Sequence, residues 1–207
     1  RANCKINIGL DVLRRRDDGF HDLSTVMVPV RELYDMVEVA PSESMALEQR
    51  GIVVDCPVEK NLCVRAARMM QQRYGVGNVA ITLDKRVPFG AGLGGGSSDA
   101  AHMAIALNEI FALGLSKEQL AEEVRELGAD CPFFIYNTPC YAEGIGDKLS
   151  PIPLDLSGLR LVMIKPDCGV STKEAYAGIK PKGCSKLANM AQDRSNLFHV
   201  AYNDFED

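Results

Sequence analysis

The chain has 207 residues, 46% of them hydrophobic and 25% charged, with a formal net charge of −5. That balance is ordinary for a globular protein of one large domain or two small ones. It argues against a sequence-independent grip on nucleic acid, and no run of 18 apolar residues marks a membrane span.

The first element is legible at once. In C-K-I-N-I-G-L-D-V (4–12), Cys4, Ile6, Ile8, Leu10 and Val12 share one face, and Lys5, Asn7, Gly9 and Asp11 share the other. This alternation predicts a half-buried strand. The turn signal D-D-G (17–19) and an apolar run over Leu23–Val30 make it a hairpin. The R-R-R run at 14–16 reads as a solvated turn. A third strand is predicted near Asp35–Val39. Residues 59–74 carry Leu62, Ala66, Met69, Met70 and Arg73 at helical spacing, stopped by Gly75. A strand over 78–85 follows.

The chain then changes character. P-F-G-A-G-L-G-G-G-S-S-D (88–99) holds five glycines within 90–96 and opens a helix striped by Ala100, Met103, Leu107, Ile110 and Phe111. A second helix starts at Ser116 in a capping box with Gln119 and stops at Gly128. Asp130, Pro132 and the strand-like F-F-I-Y come next. A strand over Arg160–Lys165 and a helix from Thr172 are predicted beyond. Cysteines at 4, 56, 63, 131, 140, 168 and 184 form no C-x-x-C pair and no metal spacing, so they read as reduced thiols of a cytoplasmic protein. No signal peptide is visible, although the chain opens without methionine.

A glycine loop running into a capped helix is suited to wrapping phosphates, because it brings backbone N–H groups and the positive helix end to an anion. Gly90, Gly92 and Gly95 satisfy G-x-G-x-x-G. However, no second strand ending in an acidic residue follows at dinucleotide-fold spacing. The Walker A pattern fails because Gly96 stands where its lysine belongs.

The string P-F-G-A-G-L-G-G-G-S-S-D-A-A resembles the phosphate loop of the GHMP kinase family. Further matches are A-x-x-K-I-N (2–7), D-G-F-H (18–21), E-x-N-L-x-x-R-A-A (59–67), D-K-R-x-P (84–88), L-G-A-D-x-P-F-F (127–134) and A-E-G-I-G-D (142–147). They resemble the branch that phosphorylates a cytidine-diphosphate-linked methylerythritol, and they span residues 2 to about 176.

The resemblance implies an α/β fold in two lobes. Residues 1–155 would form an N-terminal lobe like domain 2 of ribosomal protein S5, and 156–207 the beginning of a ferredoxin-like C-terminal lobe. The family's third glycine motif is not found in 150–207, so that lobe is expected to be incomplete, with missing strands and an exposed apolar face. The implied activity is ATP-dependent phosphorylation of the 2-hydroxyl of 4-diphosphocytidyl-2-C-methyl-D-erythritol, a step in non-mevalonate isoprenoid precursor biosynthesis, with Mg²⁺.

The implied residues follow the matched motifs. Asp130 is the base and Lys5 its partner. Asn61, Leu62, Lys85, Pro88, Phe89, Gly90, Ala91, Gly92, Leu93, Gly94, Gly95, Gly96, Ser97 and Ser98 surround ATP. Asn7, Phe20, His21, Ile145 and, less securely, Thr172 hold the cytidine substrate. Phe20 stands where the family usually has tyrosine, keeping a stacking face without the hydroxyl. His102 and His199 carry no motif and are expected to be structural. No protein metal site is expected. The partner is a small molecule, with neither nucleic acid nor membrane, and the protein a monomer or homodimer. The alternatives are a GHMP kinase for homoserine or a mevalonate-type acid, and a non-catalytic S5-like nucleic-acid-binding module.

Overall fold

The computed structural model describes residues 1–54, 56–166, 175, 176, 178–190, 197–199 and 201–206. The chain forms two compact units: Arg1–Lys5 with Pro29–Asn137, and Ile6–Val28 with Thr138–Asp207. Strands β1 (Ala2–Arg15) and β2 (His21–Pro41) pair with each other and each contribute residues to both units.

In the first unit, β3 (Ala46–Gly51) and β4 (Val79–Lys85) extend the distal half of β2. β4 runs antiparallel to β2, from Met36 opposite Asp84 to Pro41 opposite Val79, and parallel to β3. Val79, Ile81 and Leu83 bury one face of β4, as its alternation requires. Four helices accompany this sheet: α1 (Leu62–Tyr74), α2 (Gly95–Ile110), α3 (Lys117–Arg125) and α4 (Cys131–Tyr136). α2 contacts the other three. α1 starts where the Asn61 side chain accepts the Cys63 N–H at 2.9 Å, and ends at Gly75 with φ 66°. Ser116 and Gln119 form the predicted reciprocal capping box of α3.

Two expectations are corrected here. Residues 35–39 are not a separate third strand but the continuation of the 21-residue β2, because Arg31 and Glu32 interrupt its apolar pattern without breaking the ladder. F-F-I-Y is not strand-like but helical, within α4. Pro132 suits a first helical turn, and Asn137 accepts the left-handed conformation, φ 51°, that closes the helix. Residues 131–135 are all buried, so no polar face reveals the helical period.

In the second unit, β5 (Cys140–Gly144) pairs antiparallel with β2, from Leu23 opposite Gly144 to Met27 opposite Cys140. β6 (Lys148–Pro151) closes a hairpin on β5. Neither strand was anticipated, being 5 and 4 residues long. The core gathers Ile8, Val26, Val28, Leu154, Leu187 and Leu197, with Leu187 opening the short helix α5 (Leu187–Met190). The later chain returns along β1: Lys182 and Gly183 donate to the Val12 and Leu13 carbonyls at 3.0 and 3.1 Å. Buried Asp204 accepts the Val12 N–H at 2.7 Å.

The strand expected over Arg160–Lys165 is also corrected. The segment is a short apolar run but pairs with no other strand among the described residues, and Val162 and Ile164 are 82% and 86% exposed. A strand is defined by its neighbour's hydrogen bonds, which side-chain pattern does not report. The helix expected from Thr172 begins outside the described residues.

Candidate active site

The glycine loop leaves β4 at Lys85 and enters α2 at Gly95. Gly90, Gly92 and Gly94 adopt φ 68°, 71° and 69°, which side-chain-bearing residues resist. Gly94 is the N-cap of α2 and offers no side-chain cap, so the first-turn N–H groups remain available to a ligand. It is also a close approach: a Cβ there would lie 2.9 Å from the Phe134 ring and 3.2 Å from Lys5 Cγ. Gly95 is different. It is helical, and its Cβ would meet Val87 at 3.1 Å and the Lys85 ammonium at 3.3 Å. A cavity of about 180 Å³ opens here, lined by Leu62, Lys85, Val87 and residues 88–97.

Two expected residues do not line this cavity. Asn61 spends its side-chain oxygen on capping α1. Ser98 is buried, 3.3 Å from His102 Nδ1 one turn along α2. His102 also donates to the Ser98 carbonyl, and burial lowers its pKa below the ordinary histidine value, so the ring is neutral.

Lys5 and Asp130 come together on this loop. The Lys5 ammonium lies 3.4 Å from Asp130 Oδ2, and the Lys5 N–H donates to the Leu93 carbonyl at 3.0 Å. Lys5 is 5% exposed, which removes the reading of it as a surface strand lysine. Asp130 occupies the N-cap of α4, yet its side chain caps nothing. Its carboxylate, about a third exposed, faces Lys5 instead. Cys131, the next residue, is pushed up to about 11 by burial and is an unreactive thiol at neutral pH. α4 is pinned at its far end, where Asn3 and Asn137 exchange side-chain hydrogen bonds at 2.8 and 3.1 Å.

Sequence reasoning missed a buried charge cluster below the loop. Lys85 bonds to Asp35 and, at 2.8 Å, to Asp99. Burial alone would lower the Lys85 pKa, but the two carboxylates hold it above its ordinary value. Burial outweighs Lys85 at Asp99, whose pKa rises to about 7. Aspartates in a strand and a helix carry no local signal, which is why neither was singled out.

The second unit holds the residues expected at the cytidine substrate. Phe20 is 58% exposed at the tip of the β1–β2 turn. His21 stacks on Tyr176 with centroids 5.1 Å apart, and Tyr176 meets Phe205 edge-on at 4.9 Å. Neither Tyr176 nor Phe205 was anticipated. Asn7 donates to Thr25 Oγ1 at 2.9 Å. Ile145 follows Gly144, whose partner is Leu23, so it lies at the His21 end of the β2–β5 ladder. Thr172 lies outside the described residues. A cavity of about 710 Å³ in this unit, lined by residues 13–18 with Asp22, Leu23, Glu143 and Lys148, includes none of the four. The Arg14–Arg16 run borders it. Arg14 and Arg16 both pair with Asp22, and Arg16 also pairs with Asp18 at 2.9 Å.

Among the described residues, no three His, Cys, Asp or Glu side chains converge to hold a metal, and the six described cysteines are free. No described helix is long and apolar enough to cross a membrane.

Residues 61–138 match the GHMP kinases N terminal domain. The chain is 44% identical to the 4-diphosphocytidyl-2-C-methyl-D-erythritol kinase of Bacteroides thetaiotaomicron, over 99% of this chain and 77% of that one. It is 46% identical to the enzyme of the same name from Bacteroides fragilis strain ATCC 25285, over 99% and 76%. A crystal structure of 4-(cytidine 5'-diphospho)-2C-methyl-D-erythritol kinase superposes with a TM-score of 0.76 at 34% identity, covering 99% of this chain and 74% of that one. Homoserine kinase from Cytophaga hutchinsonii, at 15% identity and TM-score 0.54, shares the fold alone, over 92% of this chain and 63% of that one. Long identity to the first two and the superposition on the third agree with each other and with the loop: the chain has the α/β GHMP kinase fold and belongs to the 4-diphosphocytidyl-2-C-methyl-D-erythritol kinase family.

Proposed function

We infer that the protein is an ATP-dependent small-molecule kinase, transferring the γ-phosphoryl group of ATP to the 2-hydroxyl of 4-diphosphocytidyl-2-C-methyl-D-erythritol in isoprenoid precursor biosynthesis. The observation that carries the chemistry is the Lys5–Asp130 pair, 3.4 Å apart and tied through the Lys5 N–H to the glycine loop.

Phosphoryl transfer asks for alignment and charge neutralisation more than for covalent help. In the proposed mechanism, Asp130 accepts the proton of the acceptor hydroxyl as its oxygen bonds to the γ-phosphorus and the bond to ADP breaks. Lys5, 3.4 Å from the carboxylate, balances charge on the moving group. The N–H groups of the loop and of the first turn of α2 take the other phosphate oxygens. Mg²⁺ supplies further charge neutralisation when bound. The cation would arrive with the nucleotide whose phosphate charge it neutralises. Ser97, which lines the cavity, is the side chain offered to it.

For the acceptor, the exposed face of Phe20 suits stacking on a cytosine ring, and the orientation of His21 on Tyr176 suits a hydrogen bond to its edge. Asn7 and Ile145 complete the proposed contacts. Small-molecule partners and a cytoplasmic location fit this reading. The test is ATP turnover with and without the cytidine substrate. Turnover that depends on that substrate is expected. Equal turnover on homoserine or mevalonate, or none on any acceptor despite bound Mg·ATP, overturns the assignment.

A further inference from the structure

Asp35, Lys85 and Asp99 come from three different elements: β2, the last position of β4, and α2. All three are at most 4% exposed. One Asp35 oxygen accepts the main-chain N–H of Arg86 at 2.6 Å and of Val87 at 2.8 Å, the two residues that begin the loop. Its other oxygen grips the Lys85 ammonium, which also bonds to Asp99 at 2.8 Å. Asp99 lies in α2, the helix the loop feeds. The cluster therefore joins the loop's entry to its exit. It also touches the loop itself, since a Cβ on Gly95 would lie 3.3 Å from the Lys85 ammonium.

Stability does not explain this arrangement. Burying three charges is costly, and well-packed apolar residues of similar volume often hold a fold as well or better. Two carboxyl groups compete for one ammonium, and burial raises the Asp99 pKa to about 7. The second Asp99 oxygen is buried with no hydrogen-bond partner among the described residues. Asymmetric, incompletely satisfied buried networks call for an explanation beyond packing.

We propose that Asp35, Lys85 and Asp99 are positioning residues, a buried clamp that fixes the two ends of the glycine loop against each other and so holds its N–H groups in the shape that receives the nucleotide phosphates. Lys85 then acts through the loop and not as a direct phosphate ligand. The inference rests on the nucleotide reading of the loop. It goes further by assigning the loop's geometry to side chains beneath it.

The full chain is compared as wild type, Asp35→Ala, Asp35→Asn and Asp99→Asn. Each is measured for its unfolding midpoint, for Mg·ATP affinity by calorimetry, and for steady-state kinetics well below that midpoint. Asp35→Asn keeps a carbonyl oxygen for the Arg86 and Val87 amides, whereas Asp35→Ala keeps none. The expected order of weakening of Mg·ATP is therefore Ala over Asn, with at least a tenfold loss for Ala. The Michaelis constant for the cytidine substrate should stay unchanged. Loop amides 86–94 should exchange hydrogen faster in the variants without nucleotide. If Asp35→Ala fails to fold, Asp99→Asn, which keeps side-chain shape, carries the test with the same split between the two substrates. Folded variants that bind Mg·ATP within twofold of wild type, or that weaken both substrates alike, overturn the clamp. A wild-type protein that does not bind Mg·ATP overturns the nucleotide reading instead.

Discussion

Lys5 and Leu93 are joined main chain to main chain at 3.0 Å, and the same lysine sends its ammonium to within 3.4 Å of the Asp130 carboxylate. One residue thus fixes the height of the loop and the position of the proposed base. Strand β1, the loop and the start of α4 are held in register by a single side chain and its own backbone.

The first expected outcome concerns Asp130→Asn. The shape is kept and the basic oxygen is lost, so kcat should fall by roughly 10²- to 10⁴-fold, the range of general base catalysis. Mg·ATP affinity should change little, because the loop is untouched. Stopped-flow phosphate transfer and equilibrium titration measure the two separately. Unaltered turnover removes Asp130 from the mechanism.

Phe20→Ala tests the acceptor side. Base–aromatic stacking is worth about 1–3 kcal/mol, which corresponds to roughly ten- to a hundred-fold in the Michaelis constant for the cytidine substrate. The constant for ATP should not move. A parallel rise in both would make Phe20 a packing residue, despite its 58% exposure.

The loop glycines should separate by conformation. Gly94 has φ 69°, and any side chain there presses on Phe134 and on the Lys5 stem. Gly94→Ala should cost about 1–2 kcal/mol from the left-handed backbone alone, with the clash adding to it. Gly95 is already helical, so alanine there meets only Val87 and the Lys85 ammonium, and should be the milder change in chemical denaturation. The reverse order would contradict the geometry described for both.

The thiols should separate by burial. Cys184 is exposed and Cys56 partly so, whereas Cys4 and Cys131 are buried and both pushed up to about 11. Among the described cysteines, iodoacetamide at neutral pH should label Cys184 first and leave Cys4 and Cys131 unmodified while the protein is folded. Mass spectrometry of native-state digests reads this directly. Early labelling of Cys131 would contradict its burial.

Acidity offers another test. Burial raises Asp99 from 3.8 to about 7, so the folded state holds a proton that the unfolded chain releases. A raised carboxyl pKa makes stability fall as pH climbs from about 4 to 7 and level off above. The groups facing Asp99 are Lys85 of β4, Asp35 of β2 and the Cys63 thiol of α1. Asp99→Asn removes the titration, so its stability relative to wild type should improve across that window and then stay constant. A flat difference between the two proteins from pH 4 to 8 would show that Asp99 does not titrate there.

The parts legible in the sequence were those written locally. Alternation marked β1 and β4, Gly75 and the Ser116–Gln119 box marked helix ends, and the glycines marked the loop that enters α2. What escaped was written between distant residues. Helix α4 lacks a polar face because it is buried, so its apolar run looked like a strand. The Arg160–Lys165 run looked like a strand because pattern does not reveal whether a partner exists. Asp35 and Asp99 meet Lys85 from 50 and 14 residues away. No local pattern connects them. Tyr176 and His21 likewise touch only through tertiary structure.

Helix α2 begins at a glycine, whose side chain can cap nothing, so its opening N–H groups are available to a ligand. Seen this way, the nucleotide completes the secondary structure as well as reacting. At a hundredfold excess over its dissociation constant, it adds about 2.7 kcal/mol to the folded state. Resistance to unfolding should then rise with the concentration of Mg·ATP. Without nucleotide, cleavage within residues 88–94 should be faster than with it. Limited proteolysis with and without Mg·ATP, read at those bonds, measures this protection.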